Sequence, residues 1–333
     1  MKKLVMVVVV LFMITSCGKN KFDVDVSDIE VNIEINRLDR DLFLLNPDSL
    51  DAQLPAIKQK YGDFFELYCK RVLSLGSSDN PAFTGYLALF LTDYTMALAY
   101  DEVQTVFPDL NQITEELNDA FRHYKYYFPE KNIPKIYTCI SGFNESLVVT
   151  DNTLGIALDK YLGIDCDLYD RIRLNNYTKY KMHKDKIVTD CMYGWATTEF
   201  PYVAETDNLL SQMIYYGKIQ YFVDAMCPQQ PDTLKWGYTL QQYSWAEEFE
   251  NKVYEYMVEK KMLFSTETMD ITTFIADGPF TNPFSDNSAP RAGVWVGWKI
   301  VHSYMDNNKE VTLAQLMQNT NYQDIFNRSK YVP

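Results

Sequence analysis

Three histidines are the first residues of the sequence that could do chemistry, because imidazole is the commonest metal ligand and titrates near neutral pH. They are His123, His183 and His302, and each falls in a different predicted helix. The sequence contains neither HExxH nor H-x-H, spacings that bring two zinc ligands together. We therefore interpret them as structural or exposed histidines, and a composite site built from all three is the alternative.

Motifs for nucleophilic catalysis and for phosphate binding are absent from the sequence. It contains no G-x-S-x-G, no Walker loop and no G-x-G-x-x-G. Neighbouring carboxylates such as Glu115-Glu116 and Glu247-Glu248 are numerous in so acidic a chain, and most must lie on solvated helix faces. No pair can be selected as the acid and base of a glycosidase. We predict no cofactor and no metal.

The stretch 208–222 has the spacing of an amphipathic helix. Leu210 and Ile214 belong to one stripe, and Ser211 and Tyr215 belong to a neighbouring one. The stretch contains no histidine and no carboxylate. Its periodicity therefore predicts a core helix.

Two glycines four residues apart, Gly293 and Gly297, begin another predicted helix over 291–306. A glycine inside a helix costs about 1 kcal/mol relative to alanine, so a reason for both is expected. The close approach of another backbone is the simplest one. Arg291 precedes them, either capping an acidic cleft or lying on the surface.

The N-terminus has the organisation of a bacterial signal peptide. Two lysines precede an apolar run over 4–14, which is too short to span a bilayer, and small residues stand before Cys17. The residues ITSC resemble the lipobox of bacterial lipoproteins, in which the signal is removed and the cysteine is acylated. We therefore predict a signal peptide over 1–16, a lipid on Cys17, and a lipidated tether over 17–31.

Charge and cysteine usage limit the partners of the mature chain. Without the signal peptide it has 29 basic and 45 acidic residues, a formal net charge of −16. Such a surface repels phosphate backbones, so we exclude nucleic-acid binding. Gly18, rather than Asp, follows Cys17, which favours the outer over the inner membrane. The five further cysteines have no C-x-x-C spacing, and we interpret them as buried free thiols.

The elements that position these residues are mostly helical. Helical periodicity dominates 32–130, a predicted N-terminal lobe, and returns over 164–333, a predicted C-terminal lobe. Between them, β-branched and aromatic residues over 131–163 predict a small sheet of three strands. The predicted fold class is mostly α with a small β-sheet (α+β), in a single globular unit over 32–333.

Several blocks, in the order of the chain, resemble the gliding-motility lipoprotein B (GldB) family. These blocks are Phe128-Pro129, 133–138 with Ser141-Gly142-Phe143, LDKYLG at 158–163, LLSQMIYYGK at 209–218, WAEE at 245–248, Pro290-Arg291-Ala292-Gly293 with Gly297, and the terminal SKYVP at 329–333. The resemblance covers the chain from about residue 30 to its end. It implies a lipid-anchored envelope protein associated with gliding and its secretion apparatus, and it establishes no enzymatic activity.

The order of elements also has a fainter resemblance to gluzincin-type peptidases, which carry HExxH. When residues 211–215 are aligned with that motif, Ser211 and Tyr215 occupy the positions of the two histidine ligands and Gln212 that of the general base. Glu247 or Glu248 then occupies the position of the third ligand. Hydroxyl and amide groups cannot replace imidazole and carboxylate in zinc chemistry. The resemblance therefore implies a degenerate zincin-like architecture that has lost its metal.

These observations leave three hypotheses for function. The leading one is a non-catalytic scaffold or binding component, held to the membrane by its lipid and in contact with other envelope proteins. The second is an envelope hydrolase or peptidase with an unrecognised site. The third is a lipoprotein that binds peptides or glycans in a groove lined by Trp and Tyr.

Overall fold

In the computed structural model, which describes residues 21–333, four strands form one mixed sheet. The strands are β1 (Ile35–Arg37), β2 (Lys135–Cys139), β3 (Leu147–Thr150) and β4 (Thr153–Ala157). Their order is β1-β2-β4-β3, with β1, β2 and β4 parallel and β3 antiparallel to β4. β2, β3 and β4 are the three strands predicted over 131–163. The prediction missed β1, because its three residues are too few to show an alternating pattern.

Helices make up most of the described chain, as the predicted fold class requires. Before and around the sheet they are α1 (Leu38–Phe43), α2 (Leu50–Leu67), α3 (Phe83–Thr92), α4 (Tyr94–Val106) and α5 (Asn111–Tyr127). After the sheet they are α6 (Asp167–Arg171), α7 (Asn176–Lys181), α8 (Ile187–Glu199), α9 (Leu209–Met226), α10 (Asp232–Trp236), α11 (Leu240–Glu259), α12 (Thr268–Ile275), α13 (Ala292–Asn307), α14 (Leu313–Gln318) and α15 (Tyr322–Ser329).

Extended residues interrupt the run of helices at two points. Asp93 is extended and caps α4, its carboxylate accepting the N–H of Thr95 at 2.9 Å, so α3 ends before it. His183 is also extended and pairs with Leu162 across an isolated β-bridge, which separates α7 from α8. The prediction that His183 lies in a helix was therefore wrong.

The sheet separates two hydrophobic cores, because successive residues of a strand face opposite sides. In β2, Tyr137 faces the smaller core with α1, α2 and α3, whereas Ile136 faces the larger core. The larger core also contains α4, α5 and most helices after the sheet, and α5 packs on α8 and α9. The larger core therefore contains residues of both predicted lobes, 32–130 and 164–333, while α1, α2 and α3 belong to the smaller one. The five cysteines after Cys17 are free and buried, as predicted.

Residues 21–33, which we call the strap, are fixed to the body of the protein. Phe22 and Ile33 are buried, and the N–H of Ile33 donates to Asn118 Oδ1 at 2.8 Å. The described part of the segment expected to be a tether is thus packed, because its apolar side chains find places in the larger core. The predicted signal peptide 1–16 and Cys17, the predicted site of the lipid, lie outside the described residues.

Candidate functional site

Helix α9 is buried on both of the stripes that the sequence distinguishes. Leu210 and Ile214 of the apolar stripe are buried, and so are Ser211 and Tyr215 of the other. All residues of α9 except Gln212 and Tyr216 are buried, and such a helix is a central core helix rather than an amphipathic one. The amphipathic interpretation was therefore wrong, and the interpretation as core describes α9 correctly.

The α9–α13 crossing is so close that it depends on glycine. A Cβ atom at Gly297 would overlap the carbonyl group of Met213, and one at Gly217 would overlap the backbone of Gly297. At Gly293 a Cβ atom would lie 2.8 Å from the Cβ of Phe274. Close approach of neighbouring elements accounts for the two glycines of α13, whose cost in helix propensity is offset by the packing they allow.

Ser211, at the first position of the HExxH overlay, builds the start of α9. Its N–H donates to Asn208 Oδ1 at 2.9 Å, and its Oγ accepts the N–H of Asn208 at 3.0 Å, which together form a capping box. The hydroxyl also donates to the carbonyl of Thr206 at 2.9 Å. A hydroxyl has one proton and two lone pairs, so little capacity remains for a ligand.

The other two overlay positions of α9 are also occupied by contacts within the protein. Gln212 Nε2 donates to Asp207 Oδ1 at 2.8 Å. The ring of Tyr215 lies 5.0 Å from that of Tyr202, and burial raises the pKa of the Tyr215 phenol well above its usual value. A phenol that stays protonated is a poor metal ligand.

Glu247 and Glu248 are exposed on α11. Among the described residues, neither forms a hydrogen bond or an ion pair with α9. The carboxylate of α11 that faces the protein is Glu250, which accepts the Tyr331 hydroxyl at 2.8 Å and pairs with Lys299 at 3.2 Å. Spacing alone could not have selected Glu250, since several glutamates of α11 have the same local pattern.

The three histidines lie in different surroundings. His123 on α5 is buried, its Nδ1 2.9 Å from the carbonyl oxygen of Asp119. His302 on α13 packs on Trp298, with ring centroids 4.4 Å apart, and burial lowers its pKa. His183 precedes α8. Within 21–333 no group of three or more His, Cys, Asp or Glu side chains is arranged to hold a metal ion.

A buried charge network that sequence reasoning missed joins α9, α10 and α13. Asp224 Oδ2 accepts the indole N–H of Trp298 at 2.7 Å, and its Oδ1 lies 3.4 Å from Lys235 Nζ. Lys235 also pairs with Asp232 at 2.9 Å. Burial would lower the pKa of Lys235, but the two carboxylates outweigh it and raise that pKa. Asp224 and Lys235 are buried and paired with each other, whereas Asp232 pairs with Lys235 from the surface, as a structural network requires.

Arg291 immediately precedes α13, in the left-handed region at φ 56°. Its Nη2 donates to the Tyr193 hydroxyl at 2.9 Å, and its guanidinium lies over the rings of Tyr193 and Tyr216, 5.5 and 6.0 Å from their centroids. Burial alone would lower the pKa of Arg291, but Tyr193, Tyr238 and Asp277 raise it. Arg291 therefore ties α13 to α8 and α9, rather than capping an acidic cleft.

An exposed apolar surface on α3 is the feature that the sequence did not single out. Tyr86 and Leu89, one helical turn apart, are 51% and 69% exposed, and Tyr94 at the start of α4 is 71% exposed. Leu44, 72% exposed, follows Phe43, whose ring packs on Phe90 of α3 at 5.8 Å. We call Leu44, Tyr86, Leu89 and Tyr94 the α3 patch. The indication of this patch in the sequence is that α3 has apolar residues on its outer face as well as on the face that packs on the core.

The family model described as gliding motility protein GldB matches residues 19–333. The chain belongs to the GldB family. No curated protein and no solved structure matches it. Among the described residues, no helix is long and apolar enough to cross a membrane. Membership confirms the resemblance based on the sequence blocks and associates the chain with a family of gliding-motility lipoproteins.

The blocks that resemble the GldB family have structural roles here. The turn Ser141-Gly142-Phe143 has positive φ at Gly142 and Phe143 and is held by the buried carboxylate of Asp159. That carboxylate accepts the N–H groups of Ser141 at 2.9 Å and Phe143 at 2.7 Å. Burial raises the pKa of Asp159 against the effect of these donors. The block LLSQMIYYGK is the first half of α9, and the glycines of the Pro290–Gly297 block make its crossing with α13.

Proposed function

We propose that this GldB-family protein is a non-catalytic, lipid-anchored component of the bacterial cell envelope that binds another envelope protein through the α3 patch. Its anchor is the lipid on Cys17, and its membrane is the outer membrane. The exposure of the α3 patch is the observation that carries the proposal. A soluble surface rarely keeps several large apolar side chains together unless something covers them.

The segment that carries Tyr86, Leu89 and Tyr94 is poor in charge as well as apolar. Between residues 81 and 100 the only charged residue is Asp93, in a chain where 23% of residues are charged. Gly85 lies on the same face, and a Cβ atom there would meet open space. The centres of protein interfaces are depleted in charge and enriched in aromatic residues, which is the composition found here.

A protein partner fits the patch better than a lipid bilayer does. Helices that lie in a membrane surface usually present Lys or Arg to the headgroups beside their apolar face. Between residues 81 and 100 the sequence has no basic residue at all. An apolar groove or face of another envelope protein is therefore the occupant that we propose.

The proposal that the protein is non-catalytic is supported by what the side chains at the HExxH overlay do. Ser211 is used in the capping box, Gln212 is bonded to Asp207, and Tyr215 packs among other tyrosines. These contacts maintain α9, and the crossing of α13 covers it. The family resemblance, the cap and the packing together favour an architectural role for this helix.

Co-purification of Leu89→Glu and Gly85→Glu variants from solubilised envelopes tests the proposal. Each places a charge on the α3 patch, and we expect a loss of partner recovery of about tenfold or more, because a buried unpaired charge is costly. Leu240→Glu is the matched control, since Leu240 is 78% exposed on α11. Equal partner recovery with all three variants would contradict binding at α3.

A further inference from the structure

The strap fixes the first described residues against one end of helix α13. The ring of Phe22 lies 4.9 Å from that of Tyr221 and 6.4 Å from that of His302. Lys21 Nζ is 3.4 Å from Asp306 Oδ1, at the end of α13. The chain therefore has a defined exit point on the surface of the protein, beside the C-terminal end of α13.

This exit point is only four residues after the cysteine that is expected to carry the lipid. A fully extended chain advances at most about 3.6 Å per residue, so Cys17 lies within roughly 14 Å of Lys21. The headgroup layer on each side of a bilayer is itself about 5–8 Å thick. A protein held by so short a connection must keep the surface around Lys21 close to the membrane.

That surface has the composition of a membrane interface. An open cavity of about 460 Å³ lies beside Lys21 and is lined by the rings of Tyr126, Tyr127 and Tyr221 together with Met305 and Val311. Tyr126 is 47% exposed. Tyrosine is enriched at the level of lipid headgroups, where its ring is in an apolar region and its hydroxyl is hydrated.

The charges around the cavity do not oppose contact with a bilayer. Lys21 and Lys309 both pair with Asp306, their ammonium groups lying 3.4 and 3.3 Å from its Oδ1, so these three groups together carry a formal charge of +1. This part of the surface is thus less acidic than the mature chain as a whole, with its net charge of −16. Repulsion from anionic lipids is correspondingly weaker here than elsewhere.

We propose that the surface formed by Lys21, Tyr126, Tyr127, Met305 and Val311 rests on the headgroup layer of the bilayer and fixes the orientation of the protein on the membrane. The inference rests on the proposed lipid at Cys17. It goes beyond the anchor, because it assigns a second contact with the membrane to the folded part of the chain. The bilayer is the single occupant that chain length, exit point and composition all favour.

Depth-dependent fluorescence quenching tests this orientation. The lipidated full-length protein is reconstituted into phosphatidylethanolamine–phosphatidylglycerol vesicles, with an environment-sensitive fluorophore attached to a Tyr126→Cys variant. The five cysteines of the described residues are buried, so labelling is selective. The control carries the same label at Leu240→Cys. Leu240 lies far from the strap. Tyr238, two residues before it, donates a hydrogen bond to the carbonyl of Pro290, just before the start of α13, whereas the strap contacts the end of α13, and the two ends of this 16-residue helix are about 24 Å apart.

With nitroxide groups on the lipid headgroups, we expect the emission at position 126 to fall about two-fold while that at position 240 is nearly unchanged. Equal quenching at both positions, with a lipid on Cys17 verified by mass spectrometry, would overturn the orientation and leave the anchor and the α3 patch untouched. Absence of a lipid on Cys17 would overturn both the orientation and the proposed anchor. A third label on Gly85→Cys reports whether the α3 patch, rather than this surface, contacts the bilayer, which would also contradict the inference.

Discussion

Helices α9 and α3 are both rich in apolar residues, but they differ in how much of their surface is buried. In α9, apolar and polar side chains alike are buried, because glycines let α13 approach its backbone directly. In α3, Phe83 and Leu87 are buried in the smaller core, but Tyr86 and Leu89 on the opposite face are exposed. Within residues 21–333 the chain covers α9 and leaves the outer face of α3 exposed.

This difference separates a structural apolar surface from one available for binding. Polar groups of α9 also have partners within the protein, as in the Asp224–Lys235 pair and the Ser211 cap. Around the α3 patch a glycine faces open space instead of another backbone. Helix α9, which resembles the peptidase motif, is therefore a core element. The α3 patch, which matches no motif, is the surface that we propose binds a partner.

The sharpest contrast between the two regions is the effect of one methyl group. Gly297→Ala should destabilise the protein by about 4 kcal/mol or more, because the new Cβ overlaps the Met213 carbonyl and the helices must separate. Gly85→Ala should stabilise it by about 1 kcal/mol through helix propensity. Chemical denaturation monitored by circular dichroism measures both. Similar small effects at the two positions would contradict the close contact between Gly297 and the Met213 carbonyl.

The second prediction concerns the buried charges beside α9. Lys235→Met should cost about 3 kcal/mol, because it leaves the buried carboxylate of Asp224 without its cation. The same substitution at Lys309, whose side chain is 77% exposed, should change the free energy of unfolding by less than about 1 kcal/mol. A Lys235→Met protein as stable as the parent would mean that Asp224 is not held as a buried charge.

The third prediction is a pH dependence that arises in α9. Burial lowers the pKa of Lys218 to about 7, while its Nζ donates to the carbonyls of Met317 and Asn319 at 3.1 and 2.6 Å. Above pH 7 the folded protein releases this proton and the unfolded chain retains it, so stability rises with pH. Relative to Lys218→Met, the parent should gain about 1.4 kcal/mol per pH unit between pH 7 and 9.

Comparison with a single variant removes the contribution of other titrating groups, such as the thiols whose pKa values burial raises. Lys252→Met, at an exposed position on α11, is the control and should show no such slope. A parallel pH dependence for the parent and Lys218→Met would contradict the burial of this ammonium group.

Local patterns predicted the class of fold and most helices, because hydrophobic periodicity over ten or more residues is a strong signal. They missed β1, whose three residues become a strand only by pairing with β2. They also described α9 as amphipathic, since the approach of α13 from 80 residues later in the chain is invisible locally. The glycines at 293 and 297 were a local sign of that approach.

The candidate site was harder to predict than the fold. Spacing selected Ser211, Gln212 and Tyr215, whereas the structure assigns each of them a local packing or capping contact. The α3 patch has no motif, and its exposure depends on which face of α3 the smaller core covers. An apolar sequence alone does not show whether a helix is covered by its own chain or by another protein.

Photo-crosslinking in the native envelope tests the central claim most directly. With p-benzoylphenylalanine at Tyr86 of the α3 patch, we predict one discrete adduct with a second envelope protein, and none when the same group replaces Phe264, which is 57% exposed after α11. The adduct should disappear when Leu89→Glu is added. Adducts of equal yield at both positions, or an adduct at Tyr86 with lipid only, would contradict a protein-binding role for α3.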